Sequence, residues 1–141
     1  MVTTSTTVDL PVLVDDRVWT AWLEDVVRSE GRVLGSLTIK WQSDEELLEV
    51  NRKFLDHDYY TDIITFNRNR GNRVNGDLAI SVDRIMDHAT QRGILVRDEV
   101  LRVVVHGTLH LCGYEDISDA EKERMRALES TYMEKARNFG L

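Results

Sequence analysis

The chain has 141 residues, of which 42% are apolar and 30% charged, and a formal net charge of −7. This length suffices for a single domain over residues 1–141, and no stretch approaches the roughly 18 apolar residues of a membrane span. The acidic balance argues against a generally basic nucleic-acid binder. Cys112 is the one cysteine, which excludes an internal disulfide and fits a reducing cytoplasm. The stretch Met1–Thr7 lacks the basic and apolar regions of a secretion signal, so we expect a cytoplasmic protein.

The first part of the chain alternates between predicted strands and helices. Val8–Val14 is short, apolar and β-branched, which favours a strand, and Pro11 places that strand at an edge or a bulge. Apolar residues at helical spacing from Val18 to Val27 predict a helix that is capped by Asp15 or Asp16 and stopped by Gly31. A second strand follows at Val33–Trp41, and a capping box at Ser43 opens a second helix. This order predicts a parallel strand-helix-strand unit.

The second part adds a hairpin and three helices. Thr61–Phe66 and Gly76–Val82 are predicted strands joined by a polar loop that is mobile by composition. Helices are predicted over Asp83–Gln91, over Val96–Cys112 and from a second capping box at Ser118. We therefore expect one compact α+β domain, in which about five helices pack on a mixed sheet of about four strands.

Two histidines stand four residues apart near the end of the apolar helix Val96–Cys112. On a helix the directions of His106 and His110 differ by about 40°, so both imidazoles can reach one ion. Gly113 favours a positive φ that ends the helix, and only such a chain reversal brings Asp116 back towards His110. Two histidines and a carboxylate form a three-ligand set with an open position. We predict a metal site at the C-terminal end of this buried helix.

The same segment also allows assignments that do not require this ligand set. A histidine pair on an amphipathic helix is often only two polar side chains with satisfied hydrogen bonds. Glu115 is an alternative carboxylate ligand because it is adjacent to Asp116 and longer. Cys112 faces away from His110 on a helix, which favours a buried apolar thiol over a ligand.

Positive charge is concentrated in the middle of the sequence, where residues 50–105 hold half of the Lys and Arg. Arg68, Arg70 and Arg73 lie in the predicted hairpin loop. They are candidate RNA-binding residues beside the metal helix. The alternative is that they are solvated loop charges.

The histidine motif resembles a known family signature. The run His106-Gly-x-Leu-His110-Leu-x-Gly-Tyr114, followed by an acid and by Glu121 and Met125, closely resembles that of the YbeY family. The segments Thr61–Phe66 and Gly76–Ser81 are similar to two further blocks of that family, in the same order and spacing. The family comprises bacterial metal-dependent endoribonucleases that act in ribosomal RNA maturation.

The resemblance implies a function and its partners. It implies that one Zn²⁺ ion is held by His106, His110 and Asp116, and that a zinc-activated water cleaves single-stranded RNA. The expected substrate is a ribosomal RNA precursor on the small ribosomal subunit, in maturation of the 16S 3′ end and in ribosome quality control. Two departures stand out, since Asp116 replaces the usual third histidine and Leu55 occupies the place of a common arginine.

Several roles and alternatives remain open on sequence alone. Glu115 and Asp77 are candidate general bases on chemistry only. Arg52, Lys53 or His57 are candidate substitutes for the arginine, and none of them is assigned a catalytic role. A second hypothesis is a ribosome-associated binding module with a structural zinc. A metallopeptidase is less consistent with the motif, because the zincin pattern has Glu where this chain has Gly after the first histidine.

Overall fold

The computed structural model of the protein describes all 141 residues and contains four strands, five α-helices and one short 3₁₀ helix. In chain order the elements are β1 (Val2–Thr6), α1 (Asp16–Ser29), β2 (Val33–Gln42), α2 (Asp44–Leu55), β3 (Ile63–Asn67), β4 (Arg73–Ser81), α3 (Val82–Arg92), α4 (Val96–Leu111), α5 (Asp119–Lys135) and the 3₁₀ helix (Ala136–Phe139).

The four strands form one mixed sheet in the order β1-β2-β4-β3. The pairs β1/β2 and β2/β4 are parallel, whereas β3 is antiparallel to β4. The predicted α+β class, the mixed four-stranded sheet and the five helices are therefore confirmed. None of the helices is both long and apolar enough to cross a membrane.

The prediction of a strand at Val8–Val14 is wrong. The first strand is β1, which pairs with β2 up to a backbone hydrogen bond from Thr7 to Trp41. After that point the chain forms no ladder, although its alternate apolar side chains pack against the core. Pro11 cannot donate a ladder hydrogen bond, and the edge of β2 is already taken by the β-branched residues of β1.

The hairpin prediction is confirmed, with a shorter connection than expected. Strand β4 begins at Arg73 instead of Gly76, so that only residues 68–72 link it to β3. The Asn69 side chain orders this connection, because it donates to the Leu111 carbonyl at the end of α4 and accepts from the Asn75 backbone N–H.

Local capping signals fix where the helices begin. Ser43 and Ser118 each accept a hydrogen bond from the backbone three residues on, and the glutamates at those positions return the bond. Gly93 ends α3 in the left-handed conformation. These boundaries match the sequence prediction.

Helix α4 lies at the centre of the fold and contacts the sheet as well as α1, α3 and α5. Gly107 permits its close approach to the sheet, because a Cβ there would lie 2.6 Å from Ile63 Cδ1 and 2.9 Å from Leu78 Cδ2. The predicted burial of this helix is confirmed. The packing fixes the position of His106, the residue before Gly107.

Candidate metal centre

The two histidines occupy the last turns of α4 and face each other. The ring centroids of His106 and His110 are 4.5 Å apart with the rings nearly perpendicular, and their Nε2 atoms are 3.0 Å apart. Both side chains are partly buried. The spacing of four residues thus places both imidazoles at one point, as the helix geometry requires.

A chain reversal after α4 brings a carboxylate to the same point. Gly113 has a φ of +108°, and the backbone N–H groups of Cys112 and Tyr114 cap the helix by donating to carbonyls of its last turn. Asp116 Oδ2 then lies 3.3 Å from His106 Nε2 and 3.7 Å from His110 Nε2. The reversal predicted at Gly113 is therefore present, and the three predicted residues are brought together.

The hydrogen bonds of the two rings determine which nitrogens carry protons. His106 Nδ1 lies 2.6 Å from a carboxylate oxygen of Glu129, and His110 Nδ1 lies 2.8 Å from the Tyr114 carbonyl oxygen. A carbonyl oxygen and an ionised carboxylate accept hydrogen bonds, so each Nδ1 is assigned as the donor, and the neutral form of each ring then has an acceptor lone pair on Nε2. Two lone pairs at 3.0 Å repel unless a cation or a proton lies between them. This arrangement fits a bound metal ion.

The spacing of the donor atoms also fits a metal ion. Nitrogen and oxygen ligands lie about 2.0–2.2 Å from zinc, so that two ligands of a tetrahedral site are roughly 3.3 Å apart. The three distances between the donor atoms of His106, His110 and Asp116 are 3.0, 3.3 and 3.7 Å. Three protein ligands leave the fourth position for water or substrate.

A buried charge network supports His106. Glu129 on α5 is 5% exposed and also lies 3.6 Å from Arg102 Nη1. Arg102 in turn binds both carboxylate oxygens of Glu99, which is completely buried. The hydrogen bonds with Glu99 raise the pKa of Arg102, which stays charged. A carboxylate behind a histidine ligand fixes its tautomer and makes the other nitrogen a stronger ligand.

A second network supports His110 from the opposite side. The Tyr114 carbonyl accepts from His110, and the Tyr114 hydroxyl donates to Glu30 at the end of α1. The Tyr132 hydroxyl of α5 donates to the same carboxylate. The bond to Glu30 is the largest cause of the raised pKa of Tyr114. Helices α1, α4 and α5 thus jointly fix the orientation of the His110 ring.

Sequence reasoning missed Glu129 and Arg102. Glu129 lies 23 residues from His106 in sequence, which no local motif spans. A signal was nevertheless present, because Glu129 follows the buried Met125 by one helical turn and so interrupts an apolar stripe with an acid. Arg102 likewise precedes His106 by four residues on the apolar helix.

The candidate general bases lie in different surroundings. Glu115 is exposed and makes no ion pair or side-chain hydrogen bond. Asp77 binds Arg68 through both carboxylate oxygens and lies 3.8 Å from Lys40. The Arg68 hydrogen bonds lower the pKa of Asp77. The Asp77 carboxylate is therefore already paired with Arg68.

The predicted RNA-binding arginines belong to the hairpin connection and its edge. Arg68 is held by Asp77, whereas Arg70 and Arg73 pair with each other only through their backbones. None of the three lines the cavity at the histidines. Their role in RNA binding stays a prediction.

Residues near the position of the family arginine are engaged elsewhere. Leu55 is the last residue of α2 and is 41% exposed. Arg52 pairs with Asp58 and Glu49, while His57 bonds to the Tyr59 hydroxyl. None of these lines the cavity beside the histidines.

Cys112 takes no part in the cluster of ligand atoms. Burial raises the pKa of its thiol to about 11, so the thiol is protonated at neutral pH. A protonated thiol is a poor metal ligand and a poor nucleophile. The sequence analysis predicted a buried apolar thiol; in the structure Cys112 packs against the core but is only partly buried.

An open cavity of about 430 Å³ adjoins the centre. Its lining includes His106 and Asp116, together with residues from α3, α4 and α5. Arg102 and Glu129 lie in the same wall. The cavity therefore opens directly beside the donor atoms of His106 and Asp116.

Comparison with known proteins gives a consistent family. The family model described as Endoribonuclease YbeY matches residues 9–137. A protein of Bacteroides thetaiotaomicron called Endoribonuclease YbeY is 48% identical over 114 residues, which cover 81% of this chain and 83% of that protein. A protein of the same name from Cytophaga hutchinsonii is 48% identical over 109 residues, covering 77% and 76% of the two chains.

A solved structure has the same fold. The solution structure of TM1509 from Thermotoga maritima superimposes with a TM-score of 0.67 at 25% sequence identity, over 96% of this chain and 89% of that one. The histidine motif, the chain reversal behind it and these similarities point to one family. This chain belongs to the Endoribonuclease YbeY family.

Proposed function

We propose that the protein is a zinc-dependent endoribonuclease that cleaves single-stranded RNA. We assign it to maturation of the 3′ end of 16S ribosomal RNA and to ribosome quality control, with the small ribosomal subunit as partner in the cytoplasm. The observation that carries the proposal is the convergence of the Nε2 atoms of His106 and His110, which lie 3.0 Å apart beside the Asp116 carboxylate.

The residues present suit zinc. Two imidazoles and one carboxylate are the donor set of many catalytic zinc sites, whose fourth position stays open. A bound zinc ion supplies Lewis acidity, which favours deprotonation of water and polarises a phosphoryl oxygen. The carboxylate of Asp116 adds a negative charge that a third histidine would not, and this reduces that acidity.

The remaining residues position these groups. Glu129 and the Tyr114 carbonyl hold the two histidines in the tautomer that presents Nε2. Arg102 stays charged within the cavity wall and is held by Glu99. The loop arginines Arg70 and Arg73 contact phosphates further along the strand.

The metallopeptidase alternative is disfavoured by packing as well as by sequence. The zincin pattern needs a glutamate directly after the first histidine. Gly107 occupies that position, and even a Cβ there would meet Ile63 and Leu78 of the sheet. A glutamate side chain does not fit at this point, and none is present to act as a base.

One experiment tests the substrate class and the metal together. The metal in the purified protein is quantified, and cleavage of single-stranded RNA, duplex RNA and casein is measured with and without chelator. We expect cleavage of single-stranded RNA alone, abolished by the chelator and absent in His110→Ala. Cleavage that persists in contaminant-free His110→Ala protein would rule the site out of the chemistry.

A further inference from the structure

One face of α5 lines the cavity beside the histidines. Lys122, Met125, Arg126 and Glu129 follow the i, i+3, i+4, i+7 spacing that places side chains on one side of a helix, and all four line the cavity. Met125 and Glu129 are buried, whereas Lys122 and Arg126 are exposed. The buried pair therefore anchors the helix, and the two cations lie at the open side of the cavity.

These two cations have no acidic partner. Neither Lys122 nor Arg126 has a carboxylate oxygen within 4.0 Å, and neither side chain makes a hydrogen bond within the protein. The other acids of the same helix segment do not line the cavity. One of them, Glu121, is committed to the capping box of α5.

The remaining positive charges of the cavity are already neutralised. Arg102 contacts Glu99, Glu129 and Asp62, and Arg92 contacts Glu99. Lys122 and Arg126 are thus the cavity cations whose charge is free for a ligand. In a chain with a net charge of −7, two adjacent uncompensated cations beside a candidate metal centre select an anion.

We propose that Lys122 and Arg126 bind the phosphates next to the scissile bond of a single-stranded RNA, so that the strand runs across α5. This inference rests on the proposed nuclease function and adds its substrate-binding surface. The i, i+4 spacing places the two side chains about 5–6 Å apart at their Cβ atoms, and both are long enough to reach adjacent phosphates of one strand. Binding of this kind depends on charge and not on base sequence.

The test compares two pairs of substitutions with the same change of charge. Lys122→Gln/Arg126→Gln removes the proposed ion pairs with phosphate, and Lys135→Gln/Arg137→Gln removes two exposed cations at the other end of the same helix region. Binding of a fluorescent single-stranded RNA is measured by anisotropy between about 50 and 200 mM salt, the range over which binding to phosphates shows its salt dependence. Chelator is present throughout, so that the RNA stays intact.

We expect the first pair to flatten the slope of log affinity against log salt by about 1.4, because each single-strand phosphate that is no longer neutralised reduces the slope by about 0.7. Affinity near 0.1 M salt should fall on the order of 10-fold. The control pair should keep the slope of the unmodified protein. The exchange Lys122→Arg/Arg126→Lys retains both charges and should also keep it.

Equal salt-dependence slopes for Lys122→Gln/Arg126→Gln and Lys135→Gln/Arg137→Gln would overturn the inference. This holds whether both slopes are flattened or both match that of the unmodified protein. Failure of this RNA-binding surface can be distinguished from failure of the proposed nuclease function. Normal cleavage with equal slopes rejects only this surface. A flattened slope in a protein that cleaves no RNA rejects the nuclease and leaves Lys122 and Arg126 as an RNA-binding surface without a scissile bond.

Discussion

At the scale of single residues, the candidate metal centre depends on the different roles of the two nitrogens in each histidine ring. His106 and His110 each donate from Nδ1 to a fixed oxygen, so each Nε2 is available to a metal ion. Asp116 is the predicted third donor, and its short side chain suits a backbone that already returns to this point after Gly113. Hydrogen bonds made by Nδ1 therefore direct the Nε2 atom of each ring towards the candidate metal position.

The assignment of Asp116 over Glu115 gives the first prediction. Asp116→Ala should weaken zinc binding by more than about 100-fold, since it removes a direct ligand and removal of a supporting residue alone costs about 10–100-fold. Glu115→Ala should bind like the unmodified protein, because that side chain is exposed to solvent. Asp116→His should keep the metal. Zinc affinity is measured from the zinc content and by competition with a chromophoric chelator. A greater loss of zinc affinity in Glu115→Ala than in Asp116→Ala would contradict the assignment.

The role of Glu129 gives the second prediction. Glu129→Gln keeps an acceptor for His106 Nδ1 but loses the charge, so zinc affinity should fall by about 10–100-fold. Glu134→Gln is the matched control on the same helix, since the Glu134 side chain is exposed and makes no hydrogen bond or ion pair. Affinity is measured by chelator competition. Equal affinities in the two variants would show that the carboxylate charge does not support the site.

At the scale of secondary-structure elements, the end of α4 positions the site. The third prediction concerns Gly113, whose φ of +108° a residue with a Cβ adopts only with strain. Gly113→Ala should lower the free energy of unfolding by about 1–3 kcal/mol and weaken zinc binding, because Asp116 moves.

Gly71→Ala is the control for this change. Gly71 also has a positive φ, +54°, and open space around it, but it lies in the hairpin connection. We expect it to lose stability in urea unfolding without losing zinc. Unchanged zinc affinity in Gly113→Ala would mean that the chain reversal does not set the position of Asp116.

The hairpin connection gives the fourth prediction. Replacement of Arg68, Arg70 and Arg73 together by Gln should flatten the slope of log RNA affinity against log salt. The expected change is about 0.7 for each phosphate that these arginines neutralise. Arg68→Gln alone should change it least, because Asp77 already binds that guanidinium. Anisotropy titrations of the single and triple variants measure this. A slope like that of the unmodified protein in the triple variant would make these arginines solvated loop charges.

Local signals in the sequence predicted most of the elements. Capping boxes, apolar periodicity and glycine stops act within a few residues, so they located α2, the hairpin, α3, α4 and α5. The first strand was misplaced because Val8–Val14 and the Thr-rich β1 both have β propensity, and only pairing with β2 distinguishes them. An acid and an arginine on apolar helix faces marked Glu129 and Arg102, but the sequence did not show that Glu129 contacts His106 or that Glu30 contacts Tyr114, because these partners are distant in the chain.

At the scale of the whole molecule, the hydrophobic core is large and is built from apolar contacts that need no metal ion. Its main cluster holds 25 buried hydrophobic residues, and Leu109 and Met125 of this cluster adjoin the site. The protein should therefore stay folded when the metal is removed, losing only the stability that ligand binding adds by mass action. A structural zinc, as in the binding-module hypothesis, would instead be required for folding.

The most direct measurement, and the fifth prediction, is a zinc titration of protein whose metal has been removed by a chelator. Cleavage of single-stranded RNA and the far-UV circular dichroism spectrum are recorded on the same samples. We expect a folded, inactive protein without metal, and cleavage that rises with zinc and saturates near one equivalent. His110→Ala protein, run in parallel, should stay folded and inactive at every zinc concentration. Undiminished cleavage by the chelated protein, or loss of its folded spectrum on chelation, would contradict a catalytic zinc at His106, His110 and Asp116.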